Sequence, residues 1–119
     1  MESFLYPLSD KLRSVALDLP ETSEGTSCVN RAFKVRKKNF LFIGEKPGWL
    51  RVMLKLTESL DEARAMDDRV DVGKTGWVTL RFEPTNAIDE ELLFRWILES
   101  FRALAPKTVV KQLVGRNHT

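Results

Sequence analysis

The sequence has few of the residues that most enzymes and metal sites require. Its 119 residues include one cysteine, Cys28, and one histidine, His118. One cysteine cannot form an internal disulfide, and the two residues together are too few for a zinc site of the finger type. His118 is the penultimate residue, where chains are usually frayed, so we do not expect it to act in catalysis. Catalysis by carboxylates alone stays open, but no pair of acids is singled out by its spacing or by apolar surroundings. We therefore expect a protein that is not an enzyme and that holds no metal or cofactor.

Long apolar segments are also missing. The longest, residues 40–43, has four residues, whereas a membrane-spanning helix needs about 20. Residues 1–3 lack the basic and apolar regions of a signal peptide. Hydrophobic residues make up 43% of the sequence, which is enough for one core. We expect a single cytoplasmic domain over residues 1–119, with its core at about 4–114 and no membrane contact.

Hydrophobic periodicity predicts three helices and five strands. Apolar spacing of three and four residues, or alternation in strands, gives helices over 4–18, 59–66 and 89–105 and strands over 28–36, 39–44, 49–56, 70–72 and 77–82. The polar stretch 21–27 is interpreted as a turn-rich connection, and one or two further turns are expected within 108–114. Helices segregated from hairpin-linked strands indicate a two-layer α+β domain, α-β(3)-α-β(2)-α, with an antiparallel sheet.

Two of the predicted helices begin with recognisable capping signals. Ser59 followed three residues later by Glu62 matches a capping box, in which each side chain bonds the other residue's backbone amide. Asp89 is the expected N-cap of the last long helix. Ile88, just before it, is placed to pack against Leu93 as a hydrophobic staple.

Charge is strongly segregated along the chain although the net charge is only +2. Residues 30–57 hold eight basic groups and one acid, whereas residues 58–99 hold five basic and eleven acidic groups. Strand alternation places Lys34 with Arg36, and Arg51 with Lys55, on common faces. Such rows of cations are typical of phosphate contacts. They are more often simply the solvated face of an antiparallel sheet, on which lysine prevents edge-to-edge aggregation.

Trp77 opens a predicted strand beside the turn that contains Lys74. A tryptophan at the rim of a sheet either stacks on a nucleic-acid base or closes the hydrophobic core, and core packing is the commoner role. The sequence leaves both interpretations open for this residue.

Four segments together resemble a known family: 19–27 (LPETSEGTS), 32–40 (AFKVRKKNF), 76–80 (GWVTL) and 104–107 (LAPK). In this order, over about residues 10–113, they are similar to the motifs of the MmcQ/YjbR family. The resemblance implies an α-β(3)-α-β(2)-α domain similar to secretion chaperones and the family's "double wing" DNA-binding description. It implies no catalytic residue, metal or cofactor. Lys37 stands where many relatives have a glycine, which makes the turn more basic.

Two functions from different classes are compatible with these observations. The first is non-enzymatic DNA binding, mainly through non-specific phosphate contacts, with the candidate residues Lys34, Arg36, Lys37, Lys38, Arg51, Lys55, Lys74 and Trp77. The second is a protein-interaction or chaperone-like module without a nucleic-acid role. Its basic hairpin would bind an acidic partner protein or the acidic helices of a second copy, giving a homodimer.

Overall fold

A computed structural model describes residues 5–27, 30–46, 48–66, 70–83 and 89–117. Hydrophobic spacing and strand alternation produce most of the elements where the sequence predicts them. They follow in the order α1 (Leu5–Leu17), β1 (Thr22–Ser27), β2 (Asn30–Val35), β3 (Lys38–Lys46), β4 (Trp49–Lys55), α2 (Leu60–Arg64), β5 (Val70–Val72), β6 (Trp77–Phe82), α3 (Glu90–Leu104) and α4 (Lys107–Asn117).

The strands form one antiparallel sheet in the order β1-β2-β3-β4-β6-β5. Alternation sends one set of side chains from each strand towards the helices, which lie on a single face. The strand residues Leu41, Ile43, Val52, Leu54 and Val78 join Trp96 and Phe101 of α3 in one contiguous core. The predicted α+β class with an antiparallel sheet is therefore confirmed.

A β-bulge at Phe40 adds a further aromatic side chain to the core. The pairing of β2 with β3 passes from Phe33↔Leu41 directly to Lys34↔Asn39, which leaves Phe40 as the additional residue. Both Phe40 and Leu41 are fully buried, since a bulge interrupts strict alternation. The Phe40 ring meets the Phe101 ring edge-on, with centroids 5.7 Å apart.

Ser100 of α3 supplies the hydrogen bonds beside this bulge. Its buried hydroxyl donates to the carbonyl of Phe40 at 2.6 Å and accepts from the amide of Lys55 at 2.9 Å. The Phe40 carbonyl and the Lys55 amide lie just beyond the Leu41↔Leu54 pair, which is the last pair of the β3–β4 ladder at this end. One side-chain oxygen therefore bridges two strands and attaches α3 to them.

Replacing Ser100 by alanine should lower the free energy of unfolding by about 2 kcal/mol, because two buried backbone groups lose their partner. Denaturant unfolding measures this loss. Ser14→Ala, on the exposed side of α1, is the matched control and should change stability by less than about 0.5 kcal/mol. An equal, small effect of both substitutions would contradict the bridging role.

Two segments are more regular than the sequence predicts. The turn-rich interpretation of residues 21–27 was wrong, since they include strand β1, which pairs with β2 along its whole length. The turns expected within 108–114 belong to the 11-residue helix α4. That helix joins the core through Val109 and Leu113. The described part of the chain therefore has one more strand and one more helix than the sequence predicts.

The two capping predictions had different outcomes. Asp89 caps α3 as predicted, since its side chain accepts from the amide of Leu92 at 3.1 Å. The capping box at Ser59 was wrong: its side chain makes no cap bond and instead donates to Glu99. Glu62 instead accepts hydrogen bonds from Arg95 and Trp96 of α3, and the bond from the Arg95 guanidinium joins two charged groups, which makes it stronger than a bond to a backbone amide.

The expectations for Ile88, Cys28 and His118 concern residues outside the described ranges. None of the helices within those ranges has the length and hydrophobicity that a bilayer-spanning segment requires.

Candidate nucleic-acid interface

One face of the sheet, which we call the open face, has no helix against it in the part of the chain that the structure describes. The helices α1 and α3 contact β3 and β4 from the core side. Alternation and register assign residues of the opposite set to the open face, which include Asn30, Ala32, Lys34, Asn39, Phe42, Gly44, Lys46, Trp49, Arg51, Met53, Lys55, Asp71, Trp77, Thr79 and Arg81.

The charge of the open face is strongly positive. It carries five basic side chains and one acid, Asp71 on the short strand β5. Among the described residues, none of these five cations forms an ion pair with a carboxylate. The cations lie on β2, β3, β4 and β6: Lys34, Lys46, Arg51, Lys55 and Arg81. A polyanion that crosses the strands would therefore meet positive charge on each of them.

Aromatic side chains lie between these cations. The rings of Phe42 and Trp77 contact each other on the open face, with centroids 5.8 Å apart and planes inclined at 50°. Both are partly exposed, as is Met53 beside them. At the other end of the face, the guanidinium carbon of Arg81 lies 5.9 Å from the ring centroid of Trp49. Flat apolar surfaces flanked by cations are suited to stacking with bases.

The open face brings together four of the residues that the sequence singled out: Lys34, Arg51, Lys55 and Trp77. Lys55 and Trp77 face each other across the β4–β6 pair. Lys74 lies in the exposed turn just before Trp77, at the same end of the sheet.

The remaining predicted residues lie away from the open face: Arg36 and Lys37 form the turn between β2 and β3, and Lys38 is the first residue of β3. A cleft of about 560 Å³ lies beside this turn. One of its sides is formed by Arg36, Lys37 and Lys38, and the other by residues 103–106 at the junction of α3 and α4. The basic turn and the basic sheet face are therefore two surfaces.

Arg36 is held by a partner within the chain. Its Nε donates to a Glu21 carboxylate oxygen at 2.7 Å and its Nη2 to the other at 3.2 Å. The hydrogen bond with Glu21 raises the pKa of Arg36, and those from Arg36 and Gln112 lower the pKa of Glu21. Both Arg36 and Glu21 have positive φ, 55° and 57°, and the backbone amide of Arg36 donates to the Glu21 carbonyl. Arg36 thus ties the turn to the chain that precedes β1.

Sequence reasoning missed three residues of the open face: Arg81, Lys46 and Phe42. Arg81 lies in a segment whose charge is negative overall, and Lys46 precedes a turn. Alternation within β6 would have placed Arg81 with Trp77. Only the strand order places β6 next to β4.

A separate polar cluster lies on the helical side. The Glu99 carboxylate accepts hydrogen bonds from the backbone amides of Thr57, Glu58 and Ser59 at 2.8–3.0 Å, and from the Ser59 hydroxyl at 2.7 Å. Arg102 lines the adjoining cavity of about 400 Å³. The carboxylate itself fills the array of amides, so the cluster joins α3 to the loop after β4.

No group of three or more histidine, cysteine, aspartate or glutamate residues that could hold a metal ion occurs within the described ranges.

The fold and this interface define a class of protein: a small α+β domain with one antiparallel sheet, helices on one face, and a basic, aromatic opposite face. The chain belongs to the YjbR family, whose model matches residues 17–103. No curated protein matches the chain.

Proposed function

We propose that this protein is a non-enzymatic DNA-binding domain that binds through the open face and prefers single strands to duplexes. The observation that carries the proposal is the uncovered sheet face, on which five cations surround partly exposed aromatic rings. Cations contact phosphates without regard to sequence. Exposed rings favour single strands, because the bases of a duplex are already stacked on one another. Other antiparallel sheets bind single-stranded nucleic acid with exposed aromatic residues in this way.

The cations have unequal roles in this proposal. Lys34, Lys46, Arg51, Lys55 and Arg81 contact phosphates from the open face, and Lys74 extends the surface beyond Trp77. Lys37 and Lys38 lie at the separate turn, where they add long-range attraction. Arg36 has a structural role through Glu21.

Self-association through opposite charges has less support from the contacts. Several acids of the helices already have partners: Glu62 pairs with Arg95, Glu90 with Lys11, and Glu99 with the loop amides. Charge complementarity between two copies would have to compete with these contacts. Size-exclusion chromatography at low salt tests this alternative, and a salt-sensitive dimer without affinity for DNA would favour it over our proposal.

The test of the proposal compares two triple variants with the same change of charge. Lys34→Gln/Lys55→Gln/Arg81→Gln alters the open face, whereas Arg102→Gln/Lys107→Gln/Lys111→Gln alters exposed positions of α3 and α4. Fluorescence anisotropy with a labelled oligothymidine measures affinity over a range of salt concentrations. For the open-face variant, the negative slope of log K against log salt should become shallower by about 2, since each lost phosphate contact removes about 0.7 from its magnitude.

The helix variant should bind nearly as well as the wild type. Equal losses in the two variants would show that the attraction is not localised on the open face. Tighter binding to a duplex than to a single strand would contradict the stacking part of the proposal. No binding to either DNA at low salt would disprove it entirely.

A further inference from the structure

Two arginines lie directly opposite each other on the open face. The register of β4 and β6 pairs Arg51 with Arg81. Like charges in directly opposed cross-strand positions destabilise a sheet. Among the described residues no carboxylate forms an ion pair with either arginine to offset this repulsion. The register therefore places two positive charges side by side, and no ion pair with a described carboxylate compensates their repulsion.

Neighbouring residues hold Arg51 in place. Its Nη2 donates to the Asn30 side-chain oxygen at 3.1 Å. The two side chains meet above Gly44, where a Cβ would lie 2.5 Å from that oxygen and 3.5 Å from the Nε of Arg51. The glycine therefore leaves the space in which the guanidinium lies. The buried Nε of Arg51 has no hydrogen-bond partner among the described residues, although buried donors are nearly always satisfied.

Arg81 is positioned by an aromatic ring. Its guanidinium lies over Trp49, which is partly buried at the start of β4. Stacking of this kind occupies a face of the planar group and leaves the N–H donors at its edge available for an oxyanion.

We infer that Arg51 and Arg81 together bind one phosphate group, with Asn30, Gly44 and Trp49 as positioning residues. Guanidinium groups bind phosphate through paired, charge-assisted hydrogen bonds, and one doubly coordinated phosphate would compensate the repulsion between the two arginines. The inference rests on the proposed function, in which this group is a phosphodiester of the bound strand. The same chemistry would also accept free phosphate, so the experiment includes both probes.

The experiment follows the arginine Nε–H resonances by ¹H–¹⁵N NMR while the protein is titrated with oligothymidine and, separately, with inorganic phosphate. We expect oligothymidine to shift the resonances of Arg51 and Arg81 more than that of Arg102, the exposed arginine on α3. Arg51→Lys and Arg81→Lys keep the charge but lose the fork of donors, and each should weaken oligothymidine binding about ten-fold. Arg102→Lys is the matched control and should bind as the wild type does.

Asn30→Ala tests the positioning separately, because it leaves both charges unchanged. We expect a loss of about three-fold in affinity with an unaltered salt slope. Thermal unfolding of each variant shows whether it remains folded. If Arg51→Lys unfolds, Arg81→Lys and Asn30→Ala decide the question.

Wild-type affinity in both lysine variants would overturn the inference but not the proposed function, since the arginines would then act only as charges. If the wild type binds no DNA, the proposed function fails, and a shift of both Nε–H resonances by inorganic phosphate would still support a phosphate site. A shift by phosphate without one by oligothymidine would assign the pair to free phosphate and overturn the phosphodiester assignment. No shift with either probe would overturn the site.

Discussion

Replacing Phe40 by alanine is expected to lower the free energy of unfolding by about 4 kcal/mol, which is much of the stability of an ordinary small domain. Phe40 is fully buried, and its ring packs edge-on against Phe101 of α3. Truncation removes these contacts and leaves a cavity between the bulge and the helix. Urea unfolding, analysed by linear extrapolation, measures the change.

Phe42 is the matched control, because it lies two residues along the same strand on the opposite side. It is partly exposed on the open face, so Phe42→Ala should cost only about 1 kcal/mol. The same variant should weaken binding to oligothymidine, since it removes part of the aromatic surface. Similar stability losses at the two positions would contradict the assignment of the bulge and of the open face.

Glu99→Ala is expected to destabilise the protein by about 3 kcal/mol. The carboxylate accepts four hydrogen bonds from residues 57–59, and bonds to a charged group contribute more than neutral ones. Without Glu99, the loop after β4 loses its attachment to α3. Glu91→Ala, at an exposed position of the same helix, is the control and should cost no more than about 0.5 kcal/mol.

The stabilisation by Glu99 should depend on pH in a predictable direction. Burial is the largest single influence on the pKa of Glu99 and raises it, but the hydrogen bonds from Ser59, Thr57 and Glu58 together lower the pKa below its ordinary value of 4.5. A lowered pKa in the folded state means that the stabilisation is complete above the ordinary value and is lost as the pH falls through the folded-state value.

The difference in stability between wild type and Glu99→Ala should therefore be largest near neutral pH and decrease in acid. Unfolding curves at a series of pH values below 7 measure it. Both proteins retain Glu62, whose pKa is lowered by hydrogen bonds from Arg95 and Trp96, so both lose some stability in acid for this separate reason. A stability difference that stayed constant down to the acid range would contradict the role of the ionised carboxylate.

Much of the fold follows from local patterns. Strict alternation of Leu50, Val52 and Leu54 with polar or longer residues identifies β4, and burial follows the same pattern. The apolar stripe of α3 and its cap at Asp89 identify that helix equally well. These signals are readable because each one depends on residues close in sequence.

β1 could not be recognised in this way. Its sequence, TSEGTS, has no apolar alternation. It forms a strand because its backbone pairs with that of β2 and becomes the edge of the sheet. Arg13 of α1 adds an ion pair with Glu24. The conformation of β1 therefore depends on partners outside the segment itself, and a pattern read within six residues does not reveal them.

Local residue patterns are enough to establish the segregation of charge, the strands that carry Lys34, Arg51 and Lys55, and the scarcity of histidine and cysteine. Which cations share a surface depends instead on how the strands assemble. Strand order and register place Arg81 opposite Arg51, the bulge sends Phe40 and Phe42 to opposite sides, and Glu21 holds Arg36 at the separate turn. The physical reason is that a surface is assembled from strands paired through the backbone, and backbone pairing leaves little trace in the side chains of either strand.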